Sequence, residues 1–254
     1  MPIHDQSYRR YTGDRAPQGR AWTVIATAGI RTMLAKKKFL ALLVVAWVPF
    51  VIAAGQMYVS ANFSQLEMLA PSAATFQRFL DVQDLWVFMI TVFAGAGLIA
   101  NDMRANALQI YLARPMGRFE YIAGKFAVLA FFFLLVTWLP AITLLLVQVV
   151  FAGNLTFLSG NLYLVPAILV ATLSQTIVLC MVMLALSSLS KSARFVGIMY
   201  AGAFFFTQGL FGVVFVVTKS TGYTWISLQM SLQHLRDVIF RVPPEGRYDA
   251  ALGA

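Results

Sequence analysis

The chain has 254 residues, of which 60% are hydrophobic and only 11% are charged. A soluble domain needs roughly a quarter of its residues charged, so this composition excludes one and predicts an all-α, polytopic membrane protein. The formal net charge of +9 does not indicate a nucleic-acid partner, because 14 of the 19 basic residues fall in segments 1–38, 101–125 and 190–194, beside the apolar runs. Contacts with membrane lipid and the orientation of the chain account for these charges.

The amino-terminal part divides into two segments. Residues 1–20 are polar and basic and are predicted to form a flexible cytoplasmic tail. Residues 21–38 are predicted to form an interfacial elbow helix that lies along the inner leaflet and turns into the membrane at its three lysines. An extended first span is disfavoured, because Arg31 and the lysines would enter hydrocarbon. One face of the helix gathers Trp22, Ile25, Ala26, Gly29, Ile30 and Met33.

Five segments are long and uncharged enough to cross a bilayer, which takes about 20 apolar residues. They are residues 39–60, 85–100, 126–151, 162–189 and 195–217. The second has only 16 residues, so it is expected to extend into residues 79–84 or to lie beside thinned lipid. Pro140 predicts a kink in the third. The distribution of lysine and arginine places the amino terminus, the 101–125 loop and the Lys191 loop in the cytoplasm.

The loop of residues 101–125 carries six charges between two long apolar runs. Asn101 or Asp102 is predicted to cap a short helix that ends ahead of Arg114-Pro115, because proline disfavours helix at the residue before it. From Arg118 one helix is expected to continue into the third span. The loop would thus hold a short, stiff element at the membrane surface, where a partner protein binds.

Residues 223–242 are predicted to form an amphipathic helix outside the cell, because five crossings from a cytoplasmic start end there. Two interpretations remain open, a lone interfacial helix and a re-entrant lid over a pathway. The apolar positions recur at steps of three and four, at Trp225, Leu228, Leu232, Leu235, Ile239 and Val242.

Ionisable residues are missing from the interior of all five segments, whereas ion-coupled carriers usually bind their ion through such groups. The polar residues inside the segments are neutral, and their default role is hydrogen bonding between helices. The residues that would line a translocation pathway instead are Thr137, Gln175, Thr176, Thr207 and Gln208. No phosphate-binding loop, metal-ligand cluster or catalytic triad is recognisable, so the chain is not expected to be an enzyme or to bind a cofactor itself.

The residues in and around the 101–125 loop resemble the membrane subunits, or permeases, of type 2 ABC exporters. Asp102 stands where that family more often has glutamate, and Asn106-Ala107 replace its usual Gly-Thr or Gly-Ser. The resemblance covers roughly residues 20–242. It rests on Gly97-Leu98-Ile99-Ala100, Asp102, Ala107-Leu108, Leu112, Arg114-Pro115, Arg118 and Gly124-Lys125.

This resemblance implies that the loop contains a coupling helix that binds a separate cytoplasmic ATPase subunit, which would hold ATP and magnesium. It also implies a prokaryotic plasma membrane, a pathway formed by two permease copies (a homo- or heterodimer), and a sixth span, so five to six spans are expected. The rival hypothesis is a scaffold or anchor that recruits a cytoplasmic partner without transporting anything. The residues expected at the ATPase contact are Asn106, Leu108, Gln109, Tyr111, Leu112, Arg114, Pro115 and Arg118.

Overall fold

The computed structural model describes residues 21–62, 72–107, 117–153 and 156–242. Within these ranges the regular elements are all helical. In chain order they are Ala21–Leu34, Lys37–Ala46, Val48–Asn62, Ala73–Ile90, a π-helical segment Thr91–Gly95, Ala100–Arg104, Arg118–Val136, Trp138–Ala152, Thr156–Gly160, Leu164–Ser188, Ala193–Thr218, a 3₁₀ segment Thr221–Ile226 and Leu228–Phe240.

Five helical stretches are long and apolar enough to cross a membrane, as predicted. Spans one to five are Lys37–Asn62, Ala73–Arg104, Arg118–Phe151, Leu164–Ser188 and Ala193–Thr218. Span two is the main departure, because it has 32 residues and begins well before residue 85. Its first turn is capped by Ser72, whose backbone N–H donates to the Thr75 hydroxyl at 3.1 Å. The side of the bundle that carries residues 101–125 is called the loop side below, and the opposite side the distal side.

The elbow helix, Ala21–Leu34, lies across span three at very short range. A Cβ atom at Gly124 would lie 2.7 Å from the Ile25 Cβ and 3.0 Å from the Trp22 carbonyl oxygen. Only glycine therefore allows the two helices to approach so closely. The predicted elbow was too long, because the helix ends at Leu34 and Lys37 already begins span one.

Two spans are interrupted just before a proline. Span one breaks at Trp47, two residues ahead of Pro49, and span three breaks at Thr137, three residues ahead of Pro140. Proline cannot donate a backbone hydrogen bond, so the helix ahead of it is weakened. At the second break the Phe133 carbonyl accepts two hydrogen bonds from Thr137, one from its backbone N–H at 2.9 Å and one from its hydroxyl at 2.7 Å. The predicted kink in the third span is confirmed.

Span two is irregular in its loop-side half. After the π-helical segment Thr91–Gly95 the chain forms turns and regains α-helix only at Ala100. Ser187 of span four satisfies the backbone at this point. Its hydroxyl lies 3.1 Å from the backbone nitrogens of Ile99 and Ala100, from which it accepts hydrogen bonds, and it donates to the Ala96 carbonyl at 3.0 Å. Such π-helical irregularities frequently occur at functional sites.

Spans two, three and four form the centre of the bundle, and spans one and five lie at its periphery. In the most apolar stretches of the central spans 56% of residues or more are buried, against 17% in span one and 11% in span five. Much of the apolar surface of the two peripheral spans is therefore left for lipid or for another chain.

The amphipathic helix Leu228–Phe240 is part of the bundle and packs on spans two and four. Its polar residues Gln229, Arg236 and Asp237 are buried together with Leu232 and Phe240, whereas Val238 keeps 64% of its surface exposed. A helix that lies alone at an interface would keep its charged residues in water, so that interpretation is wrong. The re-entrant lid over a pathway stays a prediction.

Candidate functional site at the two ends of span two

At the loop side, Asp102 joins the two spans from which the 101–125 loop emerges. Its carboxylate accepts a hydrogen bond from the Tyr121 hydroxyl at 2.8 Å and forms an ion pair with Lys125 at 2.7 Å. Both partners belong to span three, and the Lys125 ammonium also lies 5.5 Å from the centre of the Tyr121 ring. The Lys125 and Asp102 side chains are only 14% and 18% exposed, so water screens the pair less than an exposed one. The ends of the loop are thus fixed to each other.

Span three begins next to this cluster with a well-capped first turn. The Glu120 carboxylate accepts a hydrogen bond from the Gly117 backbone N–H at 3.2 Å, and its negative charge lies at the positive end of the helix. Phe119 in the same turn keeps 82% of its surface exposed. Between this turn and Trp22 of the elbow helix lies an apolar hollow of about 430 Å³, also lined by Phe126. The loop side therefore presents an aromatic surface beside the loop.

At the distal end of the same span, Arg236 of the amphipathic helix binds two carboxylates. Its Nη1 donates to Asp84 Oδ1 at 2.8 Å, its Nη2 donates to the other Asp84 oxygen, and Nη2 lies 3.1 Å from Asp81. The arginine is 2% exposed and Asp84 is 9% exposed. The absence of ionisable groups inferred from the sequence is therefore wrong for span two, because its helix begins before these aspartates.

Glutamine side chains surround this ion pair. Gln175 of span four donates to Asp84 Oδ1 at 2.8 Å, and Gln233 donates to Asp84 Oδ2 at 3.2 Å. Gln229 donates to the same Oδ2 atom. Arg236 also donates to the Leu80 carbonyl at 3.3 Å. The buried carboxylate is therefore fully hydrogen-bonded, which is the condition under which a buried charge is tolerated.

The guanidinium of Arg236 stays charged in this environment. Burial lowers its pKa, but the charge and hydrogen bonds of Asp84, with the charges of Asp81 and Asp237, outweigh burial and raise the pKa. Removing one member of such a pair leaves an uncompensated buried charge and costs about 3–5 kcal/mol. This distal cluster, defined as Asp81, Asp84, Arg236 and the glutamines bound to them, therefore holds the amphipathic helix against spans two and four.

Comparison with known protein families agrees with this architecture. A family model described as "ABC-2 family transporter protein" matches residues 23–254. The chain belongs to this family. It is a multi-pass membrane protein and the membrane subunit of a transporter, as the resemblance around residues 101–125 implied. No curated protein matches the chain.

Two of the residues expected at the ATPase contact of this ABC-2 permease lie in the described part of the loop. Arg118 is the exposed first residue of span three, and Asn106 is exposed in a turn with a φ of 53°. The predicted cap at Asn101 or Asp102 is wrong, because the helix that contains both residues continues span two and its N-cap is Ile99. The other expected contact residues lie outside the described residues: Leu108, Gln109, Tyr111, Leu112, Arg114 and Pro115.

The polar residues predicted to line a pathway do not converge on one site in the permease. Thr137, Gln175 and Thr176 are buried inside the single chain, and Gln175 belongs to the distal cluster. Thr207 and Gln208 lie on the peripheral span five, where the Thr207 hydroxyl donates to the Ala203 carbonyl at 2.8 Å. If a pathway forms between two chains, Thr207 and Gln208 are therefore closer to it than the three buried residues.

The sequence contains a signal for the distal cluster that apolar periodicity alone does not reveal. Polar residues recur at the same spacing of i, i+4 and i+7 in two distant segments, which places each set on one helix face. One stripe carries two acids and the other an arginine, so they are complementary in charge. The stripes are Gln77, Asp81 and Asp84 in span two, and Gln229, Gln233 and Arg236 in the amphipathic helix.

Proposed function

We propose that this chain is the permease of an ATP-driven exporter, and that a separate cytoplasmic ATPase subunit binds the 101–125 loop and the surface beside it. The observation that supports this most is the Asp102–Tyr121–Lys125 cluster, because a force applied to the loop reaches spans two and three together. The exposed Phe119 and the hollow beside Trp22 supply an apolar surface for a partner. ATP and magnesium bind to that partner, and this chain supplies only the mechanical response.

In this mechanism span two carries the motion across the membrane. Its loop end is attached to span three by Asp102, and its distal end is attached to the amphipathic helix by Asp84 and Arg236. Span two therefore connects the attachment on the distal side with the attachment on the loop side. The π-helical segment Thr91–Gly95 lies between them and is the position where the helix axis changes direction as the ATPase moves.

Two permease copies form the pathway in this proposal. Spans one and five expose most of their apolar surface in the single chain, so they supply the contact between copies and the wall of the pathway. Thr207 and Gln208 of span five then face it. The amino terminus lies in the cytoplasm, because the lysines and arginines concentrate on the loop side. The prokaryotic plasma membrane is what the resemblance to the exporter permeases implies.

The ATPase contact is tested by reversing one charge on each of two exposed loop-side residues. Arg118→Glu is expected to reduce copurification of the ATPase and substrate-driven ATP turnover in proteoliposomes by about tenfold or more, because a repelling charge enters the contact. Arg31→Glu on the elbow helix is the matched control, since Arg31 is also exposed on this side but lies outside the proposed contact. Equal binding and turnover in both variants would contradict the proposed contact. Intact binding of the ATPase with no turnover in the wild-type protein would favour the scaffold hypothesis.

A further inference from the structure

A cleft on the distal side separates span one from the beginning of span two. Its volume of about 570 Å³ falls within the range of roughly 300–1,000 Å³ that is usual for small-molecule sites. Ile52 and Val82 in its wall keep 58% and 54% of their surface exposed, so the cleft opens sideways toward the membrane. Residues 49–57 of span one and residues 72–82 at the start of span two supply its walls.

The wall of this cleft changes from polar to apolar along the membrane normal. Ser72, Thr75 and Gln56 lie toward its distal end, whereas Pro49 and Val82 lie deeper in the bundle. The stretch from Ser72 to Val82 covers about 15 Å at about 1.5 Å per residue, which is half of a hydrocarbon core of about 30 Å. The cleft thus has the length and the polarity profile of one lipid leaflet.

The polar end of the cleft is also positively charged. Arg78 is exposed in the wall and forms no ion pair with any residue in the described part of the chain. Ser72 and Thr75 belong to the first turn of span two, where the helix dipole favours an anion. Asp81, one turn further along, forms its ion pair with Arg236 at 3.1 Å rather than with Arg78.

From this geometry we infer that the cleft binds one anionic phospholipid of the distal leaflet. Its phosphate lies between Arg78 and the first turn of span two, and one acyl chain follows Ala53 and Ile52 toward Pro49. A purely apolar ligand would leave Arg78 and Gln56 without a polar partner. This site requires neither an ATPase nor a transported substrate, so it stands apart from the exporter proposal.

The headgroup part of this inference is tested by native mass spectrometry. The full chain is reconstituted in nanodiscs of equal parts phosphatidylglycerol and phosphatidylcholine with identical acyl chains, and the retained lipids are counted. Arg78→Gln is expected to lower the ratio of retained phosphatidylglycerol to phosphatidylcholine about fivefold, since one such cation contributes about 1 kcal/mol. Arg78→Lys restores the ratio. Lys219→Gln, which removes a distal charge outside the cleft, leaves it unchanged.

The cavity part is tested by filling it. Ala53→Trp is expected to remove one retained lipid per chain, whereas Val51→Trp, at an exposed position of span one outside the cleft, keeps it. Size-exclusion profiles that match the wild type show that both variants fold. The inference is overturned if Arg78→Gln and wild type retain the two lipids in the same ratio, or if Ala53→Trp retains the same number of lipids as Val51→Trp.

Discussion

The distal cluster makes the strongest prediction about stability. Arg236→Met removes the guanidinium and leaves Asp84 buried and charged, with only glutamine side chains as donors. Breaking a buried pair from one side costs about 3–5 kcal/mol. For a chain of this size each kcal/mol shifts the melting temperature by about 2–4 °C, so a decrease of roughly 6–20 °C is expected. A fluorescence melting curve of the purified protein in detergent measures it.

Two further variants distinguish a broken ion pair from a general effect of the substitution. Arg31→Met removes an exposed arginine of the elbow helix and is expected to change stability by no more than about 0.5 kcal/mol. The double variant Asp84→Leu with Arg236→Met removes both charges, and replacing a buried pair by apolar residues is often nearly neutral. The double variant should therefore recover most of the lost melting temperature. If Arg236→Met has the same melting temperature as Arg31→Met, or if the double variant melts no higher than Arg236→Met, the cluster does not hold the amphipathic helix in the way described.

Three further predictions concern the loop-side half. Gly124→Ala introduces a Cβ against the elbow helix and is expected to lower the free energy of unfolding by about 1–3 kcal/mol. Gly209→Ala, whose Cβ would have no atom within 4 Å, is expected to be tolerated, and melting curves of the two variants test this. Ser187→Ala leaves two buried backbone N–H groups of span two without their acceptor and is expected to lower the free energy of unfolding by about 1–3 kcal/mol. Ser188→Ala, at an exposed hydroxyl, is the neutral control, and equal melting temperatures of the two variants would contradict the prediction. Lys125→Met is expected to reduce ATP turnover of the reconstituted complex more than ATPase binding, because it uncouples the loop from span three; a parallel loss of both would show that Lys125 acts in the contact itself.

The sequence was sufficient for the parts of the fold that depend on composition and local periodicity. Uninterrupted apolar runs identified all five spans, and the helical spacing of apolar residues located the elbow helix. The glycine of the Gly124-Lys125 pair is explained by close helix packing and the lysine by its pairing with Asp102. The spans and the elbow helix depend on neighbours in the chain or on one helix face, so a single sequence is sufficient to predict them.

The start of span two and the distal cluster could not be obtained from apolar content alone. Asp81 and Asp84 lower the apparent hydropathy of the segment, so the sequence predicted a span that begins at residue 85 or, if extended, at residue 79, whereas the helix begins at Ala73. The residue that neutralises them, Arg236, is 152 positions away from Asp84, and only the folded chain brings the two together. Complementary polar stripes at helical spacing were the available signal, and they require two segments to be compared rather than each to be judged separately.

The irregular end of span two has a similar origin. The sequence predicted a new helix from Asn101 or Asp102, because both residue types favour helix caps. In the structure Asp102 is held by Lys125 and Tyr121, and the Ser187 hydroxyl accepts from the backbone N–H groups of Ile99 and Ala100 that open this segment. Tertiary partners therefore determined the helix boundary, and the local preference for a cap did not.

The proposed ATPase contact is tested most directly by crosslinking from the loop side. A photoreactive amino acid replaces Phe119, which is exposed next to the loop, and in a second sample it replaces Val216 at the distal end of span five, which is 69% exposed. After irradiation of native membranes, mass spectrometry should identify a protein with a phosphate-binding loop attached to position 119 and absent from position 216. Crosslinks from position 119 that contain no nucleotide-hydrolysing protein, or the same ATPase captured from both positions, would contradict the account.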